Sequence, residues 1–172
     1  MARAAAAVRS FKGVAYAVAG AEEFAKDMEH ELGVPFTVVD SAEALCKQSD
    51  VIFTQTPGSS TVLEKDWLNP KGVTIIASGS DQPTKNEIPV DVLKASKYIS
   101  DLTKQTSRVG ELRSAIQAGV MTEDDVYAEL GEVVSKKKKG REGDEIIVVD
   151  LTGTGAQDAA IGQVAWDKLS NL

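Results

Sequence analysis

"GVAYAVAGAEEFAKDMEHELGVPFTVVDSAEALCKQSDVIFTQT", Gly13 to Thr56, decides the fold. Its runs "GVAYAVA", "PFTVV" and "VIFTQT" are short, rich in β-branched and aromatic residues, and bounded by Gly, Pro, Asp or Ser, as strands are. Between them "AEEFAKDMEHEL" places Phe24, Met28 and Leu32 at helical spacing, and "SAEALCK" offers Ser41 as an N-cap. Strand, helix, strand, helix, strand implies a parallel sheet covered by helices. Downstream, "VTIIASG", "KYISD" and "EIIVVDL" add strands, and Thr103 to Val134 reads as two helices. The second of these, "TEDDVYAELGEVV", opens with Thr122 and Asp125 at capping-box spacing.

The chain has 172 residues, 42% of them hydrophobic, which suits a single domain with one real core. A net charge of -7 and only 5% aromatic residues argue against a nucleic-acid groove lined with stacking rings. Small molecules or proteins are the expected partners. One cysteine, Cys46, cannot form an intramolecular disulfide, and one histidine, His30, excludes histidine-rich metal and hydrolase sites. No metal is expected. No apolar stretch approaches the roughly 20 residues of a membrane span, and "MARAAAAV" lacks a signal-peptide core. The expectation is a soluble protein of the reducing cytoplasm.

Two stretches invite sharper readings. The run "KKKKGREGDE", Lys136 to Glu145, resembles a nuclear address or an RNA contact, but four lysines flanked by acids and glycines read as a solvated loop. "DLTGTGAQDAA", Asp150 to Ala160, joins a strand to a glycine turn and a helix, the arrangement that seats a pyrophosphate. A full dinucleotide fingerprint continues into a second strand and an acid about 20 residues on. Only 17 residues follow Gly155, so this turn is not that fingerprint.

Four segments, "DVIFTQTPGSSTVLEKDWLNPKGVTIIASGSDQPTKNEIPVDVL", "SRVGELRSAIQAG", "VYAELGEVVSKKKKGR" and "DEIIVVDLTGTGAQDAA", occur in this order. Together they resemble the second half of the ornithine cyclodeaminase and μ-crystallin family, from about Gly13 to the C-terminus. "SDQPTKNEIP" and "DLTGTGAQD" resemble members associated with ectoine utilisation and imine reduction more than the ornithine enzymes proper. The resemblance implies a Rossmann-like α/β domain, a three-layer parallel sheet with flanking helices that binds NAD or NADP. It also implies hydride transfer at the α-carbon of an amino acid through an imine, either as cyclodeamination with loss of ammonia or as imine reduction. The implied partners are a small amino-acid or imine substrate and a second copy in a homodimer, with neither nucleic acid nor membrane.

Residue by residue, the resemblance implies that Asp81 is the acid/base, on the premise that burial raises its pKa. Read alone, Asp81 in a Ser/Gly/Pro turn caps backbone donors. Lys85 matches a lysine near the cofactor, or is a solvated loop lysine. Thr54, Thr56, Ser78, Gly79 and Ser80 lie where the family's cofactor rests on backbone and hydroxyls beyond consecutive strands, and ordinary strand-end turn chemistry explains them equally. Leu151, Thr152 and Gly153 match a wall beside the nicotinamide and the substrate; Gly153 and Gly155 also serve a simple turn.

Residues 1–172 are therefore expected to form a single, partial cofactor domain, with helix 156–170 returning toward a separate dimerisation domain. The family's first strand and glycine-rich phosphate loop would precede "ARAAAAVRSF" and are absent, leaving neighbouring strands without a ladder partner and the pyrophosphate without its donors. The isolated chain is expected to be a poor enzyme: a partial product, a degenerate relative or half of a split protein. A non-catalytic binding module of the crystallin type and a truncated remnant are the alternatives. Ala17 to Gly20 carry neither an acid for a ribose diol nor an arginine for a 2′-phosphate, so NAD and NADP stay unassigned.

Overall fold

The computed structural model describes residues 2–16 and 21–170. Its N-terminal part runs α1 (Ala2–Val8), β1 (Val14–Tyr16), α2 (Glu22–Leu32) and β2 (Phe36–Val38). β1 and β2 pair in parallel, because the α2 crossover carries the chain back to start β2 in the direction of β1. Ala25 and Met28 of α2 bury against Phe36, with Val14, Leu32 and Val38 around them. Phe24 remains 45% exposed, so the buried stripe of α2 runs through Ala25 and Met28. Gly33 ends α2 at φ 65°, a left-handed cap that any residue with a Cβ adopts only under strain.

The larger part contains α3 (Ala42–Gln48), β3 (Val51–Thr54), β4 (Val73–Ala77), α4 (Val90–Ala95), β5 (Lys97–Ser100), α5 (Thr103–Thr106), α6 (Glu111–Gln117), β6 (Ala128–Glu129), α7 (Leu130–Val134), β7 (Ile146–Asp150) and α8 (Gly155–Leu169). Five strands form one parallel sheet in the order β3-β4-β7-β5-β6. As expected, Ser41 caps α3 by accepting from the Ala44 N–H. The last strand of the chain, β7, inserts at the sheet centre, where "IIVVD" meets apolar neighbours on both sides. Val73, Ile75, Val92, Leu93, Leu112 and Val148 are fully buried, each contributing about 1.5–3 kcal/mol of transfer free energy. Among the described residues no ladder joins β1–β2 to the five-stranded sheet.

The region from Thr103 to Val134 departs from the two-helix expectation. "TEDDVYAELGEVV" forms a 3-10 turn at Glu123–Asp125, then β6, then the five-residue α7. The Thr122–Asp125 capping box is present, but Val126 turns extended, and Ala128 and Glu129 pair with Ile99 and Ser100. Tertiary pairing thus overrides helical spacing. No residue of α8 is buried, and Ile161, Trp166 and Leu169 are about two-thirds exposed. No helix among the described residues is long and apolar enough to cross a membrane.

Candidate functional site

The five strands finish level. Thr54 of β3 pairs in register with Ala77 of β4, Ala77 with Asp150 of β7, Asp150 with Ser100 of β5, and Ser100 with Glu129 of β6. The chain leaving each strand end ties to its neighbour. Ser78 donates from its N–H and its hydroxyl to the Thr54 carbonyl at 3.0 and 3.1 Å, Leu151 N–H to Ala77 at 2.8 Å, and Asp101 N–H to Asp150 at 2.9 Å. Thr54, Thr56, Ser78, Gly79, Ser80, Leu151, Thr152 and Gly153 are therefore gathered along one carboxyl edge, where parallel α/β sheets bind ligands.

Beneath this edge lie carboxylates that the sequence reading did not single out. Glu87, fully buried, accepts from Thr56 N–H at 2.5 Å and from Gly79 N–H at 3.1 Å, one bond to each of its oxygens. Its own N–H donates to Glu111, also fully buried, at 2.8 Å, and Glu111 accepts further from Ile88 N–H and the Asn86 side chain. Asp150 accepts from the Tyr98 hydroxyl and from Glu111 N–H at the start of α6, while its other oxygen is buried without a partner among the described residues. Burial, reinforced by the Glu111 charge, pushes the Asp150 carboxyl up to about 8, and burial likewise raises Glu111 and Tyr98. These acids do not form a metal-binding group; among the described residues there is none. In sequence these acids stand in "EIPV", "GELRSA" and "IIVVD", beside apolar residues as many surface acids also do.

The expected acid/base residue is placed differently from its premise. Asp81 is exposed, and Lys85 Nζ lies 2.8 Å from its carboxylate. The Lys85 ammonium holds the Asp81 carboxyl below the usual carboxylate range, because its hydrogen bond outweighs the small desolvation. Asp81 is thus ionised rather than raised by burial. Its loop is anchored through the Lys85 carbonyl, which accepts from the buried Ser80 hydroxyl at 2.7 Å and from Arg113 at 2.8 Å. Ser80 is consequently turned inward.

On the β7 side, Asp101 accepts from Thr152 N–H at 2.7 Å, Gly153 N–H at 2.9 Å and the Thr152 hydroxyl at 3.0 Å. Gln105 donates to Thr152 Oγ1 and to the Gly153 carbonyl. Gly153 sits at φ 87°, so here glycine is required by the turn itself.

Small residues stand at three neighbouring strand ends: Thr54 and Thr56, Ser78 to Ser80, and Thr152 and Gly153. Among the described residues Thr54 Oγ1 is buried with no partner, and Thr56 Oγ1 accepts a long 3.4 Å contact from Gly58 N–H. The Thr56 and Gly79 amides are already committed to Glu87, so this end does not offer the cluster of free N–H groups that a pyrophosphate needs. Ala17–Gly20, where the choice between NAD and NADP was sought, lie outside the described residues.

A parallel sheet flanked by helices, with level carboxyl ends and small residues beyond them, defines a Rossmann-like α/β protein. The chain belongs to the ornithine cyclodeaminase/mu-crystallin family, whose model matches residues 2–171. It is 40% identical over 149 residues to a provisionally named dehydrogenase of Rhizobium meliloti, covering 86% of this chain and 45% of that protein. Two solved structures are close in fold. The iminosuccinate reductase of Paracoccus denitrificans in complex with NAD+ superposes with a TM-score of 0.88 at 33% identity, covering 96% of this chain and 51% of that one. The Thermococcus litoralis Δ1-pyrroline-2-carboxylate reductase in complex with NADH and L-proline superposes with a TM-score of 0.92 at 26% identity, covering 99% and 54%. The chain spans about half the length of these relatives.

Proposed function

We propose that this chain is the nicotinamide-binding part of an NAD(P)-dependent imine reductase or amino-acid cyclodeaminase, acting by hydride transfer at an amino-acid α-carbon. One observation carries the reading: Thr54, Ala77 and Asp150 end their strands in register, so 54–56, 78–80 and 151–153 line a single edge. Family membership and two relatives solved with NAD+ or NADH supply the chemistry. The nicotinamide, when bound, would donate or accept the hydride. Thr54, Thr56, Ser78 and Gly79 would pack beside it, with Leu151 closing the wall and Thr152 and Gly153 facing the substrate.

Asp81 would serve as an anion. Held ionised by Lys85, it is suited to hold an iminium nitrogen or to take a proton from water or an amine. Lys85 keeps it charged and directed.

The test is a fluorescence titration of the chain with NADH and NADPH, using Trp67 and Trp166 as energy donors. Saturable binding in the micromolar range supports the reading; no binding by a chain shown to be folded removes it. In the chain complemented with the remainder of a relative, Asp81→Asn should lower imine turnover while leaving NADH affinity unchanged. Unaltered turnover would remove Asp81 from the chemistry.

A further inference from the structure

We propose that Glu87 is the positioning residue of the cofactor edge: its buried carboxylate clamps the turns after β3 and β4 by accepting from both Thr56 N–H and Gly79 N–H. The inference rests on the nicotinamide reading above. The two amides lie 31 and 8 residues from Glu87 in sequence and belong to different turns, so one side chain sets their separation. The clamp is itself held. Glu111 fixes the Glu87 N–H and the Ile88 N–H, and Val62 N–H donates to the Glu87 carbonyl at 2.9 Å.

Strand-end amides in such sheets ordinarily attract anions. Here the protein's own carboxylate has taken both. A phosphate brought to this point would find both amides already taken, so the edge between β3 and β4 favours the uncharged ribose and ring of the ligand. Glu87 touches neither, and acts through the backbone it holds.

Gly79 reports on the same contact. A Cβ built there would overlap the Glu87 carboxylate, although the Gly79 backbone is not in the left-handed region. Glu87→Gln keeps the side-chain shape but points an amide donor at one of the two N–H groups. Gly79→Ala keeps the carboxylate but drives it from its seat. Two chemically unrelated changes should therefore have one consequence.

The experiment uses the 172-residue chain, its two single variants and the double variant, titrated with NADH beside melting curves and amide hydrogen exchange. Each single variant should weaken NADH binding about tenfold, and the double should be little weaker than the worse single, because both break one contact. The Thr56 and Gly79 amides, which lie outside the strands, should be protected from exchange in the parent and released in Glu87→Gln. A purely structural role would lower the melting temperature and leave the affinity of folded protein unchanged. Parent-like affinity in folded variants would overturn the role of Glu87 alone, whereas absence of NADH binding by the parent would overturn the nicotinamide reading and this role with it. Where neither variant folds, unprotected Thr56 and Gly79 amides in the parent would overturn the clamp.

Discussion

Tyr98 on β5 donates its hydroxyl to the Asp150 carboxylate at the end of β7, and both side chains are buried to within 1% of full burial. A phenol and a carboxyl in the sheet centre stabilise each other only while few charges are present, since an unpaired buried charge is costly. Burial pushes the Asp150 carboxyl up to about 8, which favours its protonated form relative to an ordinary aspartate.

Stability should accordingly fall as pH rises. The folded chain binds a proton at Asp150 that the unfolded chain has released, so this contribution is complete below about pH 4, the ordinary Asp range, and is lost as pH rises through about 8. Glu111, also raised, acts with the same sign. Asp150→Asn keeps a carbonyl oxygen for Tyr98 and the α6 N–H while removing the titration. Urea denaturation at pH 5 and pH 8 should show the parent losing stability relative to this variant as pH rises; a constant difference between them would refute the assignment.

Close approach to Asp150 also fixes Gly110. Its φ of -86° suits any residue, so the demand is for space. A Cβ there would lie 2.8 Å from Thr106 Cα and 2.9 Å from Thr106 Cβ, and would meet the Asp150 carboxylate as well. Gly110→Ala should cost about 1–3 kcal/mol by overpacking, read as a shifted denaturation midpoint. A variant within about 0.5 kcal/mol of the parent, the range of surface changes, would show that α5 and α6 can part there freely.

The parallel α/β architecture was legible because strand runs and helical spacing alternate regularly from Val14 to Thr54, and because Ser41 and the 122–125 box carry local capping chemistry. β6 was not, since Ala128 and Glu129 become strand only by pairing with Ile99 and Ser100. Thr54, Ser78, Gly79 and Thr152 were found at the edge through family resemblance, not through any local pattern. Glu87, Glu111 and Asp101 were missed because a buried acid and a surface acid look alike until their backbone partners are known. The environment of Asp81 was misjudged for the same reason: Lys85, four residues on, decides its charge, and spacing alone does not show the contact.

Lys136 supplies a prediction of opposite sign. The lysine run is exposed, as a solvated loop should be, yet Lys136 stands at φ 64° just past α7. Its N–H donates to Val133 and the Lys137 N–H to Glu132, the pattern that usually places glycine at this position. Lys136→Gly should relieve the left-handed strain and stabilise the chain by a few tenths to about 1 kcal/mol, the scale of left-handed conformational costs. Thermal melting checks it, and a lowered melting temperature would show that the lost backbone entropy outweighs the relief.

The β7 side of the edge depends on Asp101, which is 8% exposed and accepts from Leu102, Thr152 and Gly153 backbone N–H groups. No other side chain accepts from the Thr152 or Gly153 N–H among the described bonds, so Asp101→Ala would leave them to find water in a partly buried turn. The expected cost is about 1–3 kcal/mol for the unsatisfied donors. Local consequences should exceed the global one: exchange at Thr152 and Gly153 should accelerate more than in the β4–β7 ladder, because the Leu151 N–H bond to Ala77 still fastens the strand end. Asp101→Asn keeps one acceptor oxygen and should fall between the two. Equal exchange rates at 152 and 153 in the parent and in Asp101→Ala would mean that Gln105, which donates to Thr152 Oγ1 and to the Gly153 carbonyl, holds this turn instead.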